Sequence, residues 1–78
     1  MANSYNEQDQ EYLEKLGKRI RQIRKGKQLS QEVLAFDSGL DRSYIGSIER
    51  GERNIAILNL NKIAKALHIS ISELLNFE

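Results

Sequence analysis

Arg42, Ser43, Gly46, Ser47 and Arg50 are the residues whose types and spacing point to chemistry in this chain. Leu34, Ala35, Gly39, Leu40, Ile45 and Ile48 frame them. Leu34 and Ala35 seat one short helix, Gly39 turns the chain, and Ile45 and Ile48 seat a second helix on the same core. With its isoleucines turned inward, the second helix is expected to expose Arg42, Ser43, Gly46, Ser47 and Arg50. That outer face carries no large apolar side chain and is rich in hydrogen-bond donors, which suits the major groove of DNA. The Arg42 guanidinium can donate two parallel bonds to guanine O6 and N7, discriminating a base by roughly 1–3 kcal/mol. Its bland alternative is a solvated surface arginine. Ser43 and Ser47 are candidates to bond base edges, with phosphate bonding or simple fit to the groove as the alternatives. Tyr44 either aims its hydroxyl at phosphate or only packs its ring.

Other chemistries are poorly served. The chain of 78 residues has no cysteine and one histidine, so disulfides, thiolate catalysis and Cys- or His-rich metal sites are excluded. Carboxylates are present, but no nucleophile–base pair is visible, and so small a domain has little room for a substrate pocket. Neither an enzyme nor a cofactor is expected. His68 reads as a residue capping a helix end rather than as a ligand. No apolar run approaches membrane-spanning length, and the opening MANSYNEQDQ is polar, unlike a signal peptide. A cytoplasmic protein without a membrane partner is the expectation.

Charge is segregated. Glu7, Asp9, Glu11 and Glu14 give residues 1–14 a charge of −4, with no base among them. Lys15, Lys18, Arg19, Arg21, Arg24, Lys25 and Lys27 then give residues 15–27 a charge of +7, with no acid. The gradient suits the dipole of one helix. It also brings a basic end to face phosphate, for which Arg21 and Lys25 are the candidates.

These residues need elements to hold them. Leu13, Leu16, Ile20 and Ile23 form one buried stripe and predict a helix from about Asp9 to Lys25, with Gly26 as its stop. Residues 1–8 are expected to fray. Ser30 caps a second helix, which ends at Ser38 before Gly39. Asp41 caps a third, from Arg42 to about Arg50, closed by Gly51. A fourth runs from about Ile57 to Leu67, with Ala56 where a capping side chain is usual. A short fifth begins at Ser70, in capping-box spacing with Glu73. No stretch alternates with period two, so the fold expected is all-α: five helices in one compact bundle, with residues 9–78 as a single DNA-binding and dimerisation domain.

At this point LSQEVLA (residues 29–35), SGLDRSYIGSIERG (38–51) and KIAKALHISISELL (62–75) resemble the lambda-repressor-like helix-turn-helix proteins, the XRE family. Ala35, Gly39 and Ile45 hold that family's spacing. LDRSYI followed by IERGERN is similar to the controller proteins of restriction-modification systems. Gly46 stands where serine is common, Ile55-Ala56 replaces a frequent Pro-Ser, and His68 a frequent glycine. The resemblance implies that Gln31 bonds a backbone phosphate, helped by the positive end of its helix. It also implies that Arg24 and Glu49 form an ion pair locking the first helix to the third. Arg50, Arg53 and Asn54 follow the reading helix and are expected at phosphates.

One short helix reads few base pairs, so a homodimer on a near-palindromic double-stranded operator is expected, its two reading helices about 34 Å apart. Ile55, Leu58, Ile71, Leu75 and Phe77 are more apolar side chains than the C-terminal half needs for its own core, and the interface is placed there; at least two of them are expected simply to complete the core. The resemblance implies a regulator of genes including its own, with RNA polymerase as a further partner; Glu49, Glu52 and neighbouring charges are the candidates to touch it. A phage-type repressor, or an antitoxin-like module whose main partner is another protein, is the alternative. Val33 and Phe36, on the outward side of the second helix, are expected to cover part of the N-terminal extension.

Overall fold

The first helix, α1 (Glu7–Gly26), begins two residues before the expected Asp9. The computed structural model describes residues 5–77, so the part of the expected frayed extension formed by residues 1–4 lies outside the described residues. Asn6 is the reason for the early start. Its Oδ1 accepts from the Asp9 amide at 2.8 Å while the Asp9 carboxylate accepts from the Asn6 amide at 3.3 Å, a reciprocal capping box. The residue with positive φ after α1 is Gln28 (61°), not Gly26.

The remaining helices are α2 (Gln31–Ser38), α3 (Arg42–Glu49), α4 (Ile57–Ala66) and α5 (Ile71–Leu74). Among the described residues there is no strand, and the all-helical expectation holds. Ser30 caps α2 as expected, its Oγ accepting from the Val33 amide at 3.1 Å. Gly39 (φ 73°) supplies the left-handed turn between α2 and α3 without the steric cost that a Cβ would bring. Asp41 occupies the cap position of α3, but its side chain makes no capping bond. Ala56 likewise leaves α4 without a side-chain cap. His68 does end α4, in the left-handed region at φ 60°. Ser70 and Glu73 form the expected capping box on α5.

Each helix contributes to one core. Leu16 and Ile20 come from α1, Leu34 and Ala35 from α2, Ile45 and Ile48 from α3, Leu60, Ile63 and Ala64 from α4, and Leu74 from α5. Full burial of each large aliphatic side chain contributes about 1.5–3 kcal/mol. Helix α3 is short and cannot hold itself, so its position is set by what α1 and α2 offer it. The closest approach is at Gly17, where a Cβ would stand 2.6 Å from the Glu49 carbonyl oxygen. Only glycine lets the backbones of α1 and α3 come this near.

Candidate nucleic-acid interface

Burial of Ile45 and Ile48 orients α3 and leaves Arg42 and Ser43, its first two residues, exposed. The Arg42 Nε lies 3.3 Å from Oε2 of Glu32, a solvent-exposed ion pair across the α2–α3 angle. The outer face is shorter than the sequence predicts. Gly46 is buried, because the side chains of Arg50 and Gln31 lie over it: a Cβ there would stand 3.2 Å from Arg50 Nη1 and 3.7 Å from Gln31 Oε1. Ser47 is only 6% exposed, and its hydroxyl donates to the Tyr44 carbonyl at 2.7 Å. The chain reverses after α3, and the Glu52 amide donates to the Ser47 carbonyl at 2.9 Å, folding the loop back over that last turn. Ser47 is therefore a structural residue, and its expected base contact is withdrawn.

At the far end of α3 lies a buried polar network. Arg24 forks onto Glu49, with Nε to Oε2 at 2.7 Å and Nη2 to Oε1 at 2.9 Å. Its Nη1 donates to the Leu29 carbonyl at 2.8 Å. Hydrogen bonding to Glu49 raises the Arg24 pKa above the ordinary arginine value, outweighing the opposing effect of burial. Gln31 joins from α2, its Nε2 donating to Glu49 Oε1 at 3.0 Å. One carboxylate thus gathers α1, α2 and α3, and holds the Gln31 amide at the N-terminal end of α2, where an anion is favoured. Because Glu49 is buried in this pair, the expected contact between Glu49 and polymerase is withdrawn.

The loop after α3 carries further cations. Arg50 is exposed and forks onto Glu52 at 2.9 and 3.1 Å. That bonding holds the Glu52 carboxyl below its ordinary pKa. Arg53 lies with its guanidinium carbon 5.4 Å from the centre of the Tyr44 ring. Tyr44 is half-buried against the core, and its hydroxyl accepts from Asn59 Nδ2 at 3.2 Å, which fixes where the phenol points. Arg53 and Asn54 are exposed, as are Arg21 and Lys25 on α1.

The apolar residues expected at a dimer surface divide into two kinds. Ile55, Ile71, Leu75 and Phe77 are partly buried and pack on the core, with Phe77 also 5.3 Å from the ring of Tyr12. Leu58 is 73% exposed, and beside it Ile57, which the sequence reading omitted, is 61% exposed. Phe36 is 87% exposed and Val33 is also exposed, and the expectation that they cover part of the N-terminal extension rests in part on residues 1–4, which lie outside the described residues. The sequence reading also missed Glu32, Asn59 and Gly17. Each acts through a neighbour distant in sequence, and no local spacing marks it. No helix among the described residues is long and apolar enough to cross a membrane.

A family model described as Helix-turn-helix (HTH_3) matches residues 20–74. Control protein C.BamHI of Bacillus amyloliquefaciens is 50% identical over 62 residues, 78% of this chain and 76% of its own length. The crystal structure of the restriction-modification controller protein C.AhdI from Aeromonas hydrophila superposes with a TM-score of 0.79 at 56% identity, covering 80% of this chain and 94% of that one. The immunity repressor protein of Bacillus phage phi105 is 40% identical over 63 residues, 81% of this chain but 44% of that protein. The chain belongs to the helix-turn-helix family and is a DNA-binding transcription regulator.

Proposed function

We propose that the chain is a controller protein of a restriction-modification system, binding a near-palindromic operator as a homodimer and regulating its own gene. The observation that carries this reading is the exposed first turn of α3. There Arg42 and Ser43 face outward, while Gln31, held by Glu49, lies further along the helix over Gly46. In this reading Arg42 and Ser43 contact bases, and Gln31, Tyr44, Arg50, Arg53, Asn54, Arg21 and Lys25 contact phosphates. Phosphates supply affinity and register, whereas the two residues on α3 supply sequence. The names of C.BamHI and C.AhdI support the controller assignment.

One short exposed turn reads only a few bases, so two copies are needed. Leu58 and Ile57 form the exposed centre of the proposed interface, with Ile55, Ile71, Leu75 and Phe77 at its edge. RNA polymerase is the further partner in this reading. The test is a footprint on the DNA flanking the chain's own gene. Two protected half-sites with centres about one helical turn apart are expected; a single protected half-site, or none, refutes the reading. The similarity to the phi105 immunity repressor favours a second reading, a phage-type repressor. In that case the protected operator would lie outside any restriction-modification locus.

A further inference from the structure

We propose that Glu32 is a specificity determinant of DNA reading: it buttresses Arg42 for guanine and withholds it from phosphate. The inference rests on the reading of Arg42 as the base-contacting residue. Its observation is the Arg42 Nε–Glu32 Oε2 approach of 3.3 Å. A carboxylate at Nε leaves the two terminal amino groups of the fork, the end suited to guanine O6 and N7. Arginine otherwise has many rotamers of similar energy, so a partner that limits them reduces the entropy lost on binding. The pair spans two helices, α2 and α3, so the fold sets the positions from which the two side chains meet.

The same carboxylate opposes binding that lacks sequence. Non-specific affinity comes from cations neutralising phosphates. Glu32 offsets the charge of Arg42, and it is the second residue of α2, at the end of that helix that would otherwise attract an anion. On non-cognate DNA Arg42 has only phosphate to gain, in exchange for Glu32. On cognate DNA it gains guanine while Glu32 stays at Nε. Both halves of the argument act on the ratio of the two affinities, and in the same direction.

The test uses the full chain and two duplexes of equal length at one salt concentration. One duplex is selected by the unaltered chain from a randomised pool, and the other is its scrambled counterpart. Glu32→Gln is expected to bind the scrambled duplex more tightly and the selected duplex less tightly. The ratio falls about fivefold, combining two effects each the size of an exposed ion pair. Glu32→Asp keeps the charge but shortens the reach, so the selected duplex is weakened while the scrambled one is unchanged. In an Arg42→Ala background, Glu32→Gln has no effect on the ratio. Equal tightening on both duplexes, or an unchanged ratio, overturns the proposal, as does a falling ratio in the Arg42→Ala background. If Arg42→Ala itself leaves the ratio intact, the base-reading role of Arg42 fails instead. Both Glu32 variants are exposed changes, and unaltered melting temperatures confirm that folding is not the cause.

Discussion

Removing Glu49 alone is expected to destabilise the domain more than removing Glu49 and Arg24 together. Glu49→Leu deletes the carboxylate and leaves the Arg24 cation buried, with its bond to the Leu29 carbonyl but without its counter-charge. Stranding one member of a buried pair costs about 3–5 kcal/mol. Arg24→Met with Glu49→Leu replaces both charges by apolar groups of similar size, which removes the stranded charge. What remains lost is the bond to the Leu29 carbonyl and the bond from Gln31, each worth about 1 kcal/mol, and both groups lie near water. The double variant is therefore expected to be about 1–3 kcal/mol more stable than Glu49→Leu, or roughly 4–8 °C in melting temperature for each kcal/mol in a domain of this size. Urea melts at one fixed protein concentration measure this, since association of copies adds to apparent stability. If the double variant loses the sum of the two single losses, the pair is uncoupled and the reasoning is refuted. The pH dependence has a definite sign. Arg24's pKa is raised in the folded state, so its contribution is complete below the ordinary arginine pKa and is lost only as pH rises through the folded value. The gap between the unaltered chain and Glu49→Leu that is due to Arg24 is thus the same at about pH 6 as at about pH 9.

Four further outcomes are expected. Arg42→Ala relaxes base preference at one position per half-site by about 1–3 kcal/mol, whereas Gln31→Ala weakens every duplex alike; competition binding against single-base variants separates the two. With about six phosphates neutralised per subunit, log affinity falls with log salt at a slope near −0.9 per contact, and Arg53→Ala makes that slope shallower by about one. Leu58→Glu places a charge in the exposed apolar patch, so light scattering reports monomers and operator affinity collapses while the helical signal persists. Gly17→Ala drives a methyl group into the Ile48 and Glu49 backbone, which separates α1 from α3. A loss above about 3 kcal/mol in urea melts is expected, and a near-neutral result would show that the two helices are not pinned there.

Much of this architecture is legible in the sequence because local chemistry dictates it. The α2–α3 turn follows from Ser30, Gly39 and the Ile45/Ile48 pair, all of which act within a few residues of themselves. The capping box of α5 is likewise readable from Ser70 and Glu73 alone. The start of α1 was missed because Asn6, an effective cap, sits in a polar stretch that resembles a frayed end. Ser47 failed for a different reason. Helical periodicity places it on the outer face, but periodicity knows nothing of the loop that returns over it through Glu52. The Arg42–Glu32 pair is invisible for the same reason: it depends on the angle between two helices, and that angle is a tertiary quantity.

In the proposed reading, Glu49 couples stability to recognition through a lever. It closes α3 at the end opposite Arg42, accepting from Arg24 on α1 and Gln31 on α2. Gly17 allows α1 to press against the backbone at the same end. Seven steps of about 1.5 Å each separate the pinned end from the proposed reading end by about 10 Å. A tilt of about 10° at Glu49 would therefore carry Arg42 by roughly 2 Å, while base-edge bonds tolerate only a few tenths of an ångström around 2.9 Å. A buried ion pair is a poor source of net stability, because desolvation offsets attraction. Its directional fork fixes an angle, which a greasy contact between smooth side chains does not. An apolar replacement of the pair can thus keep most of the original stability and still read DNA less sharply.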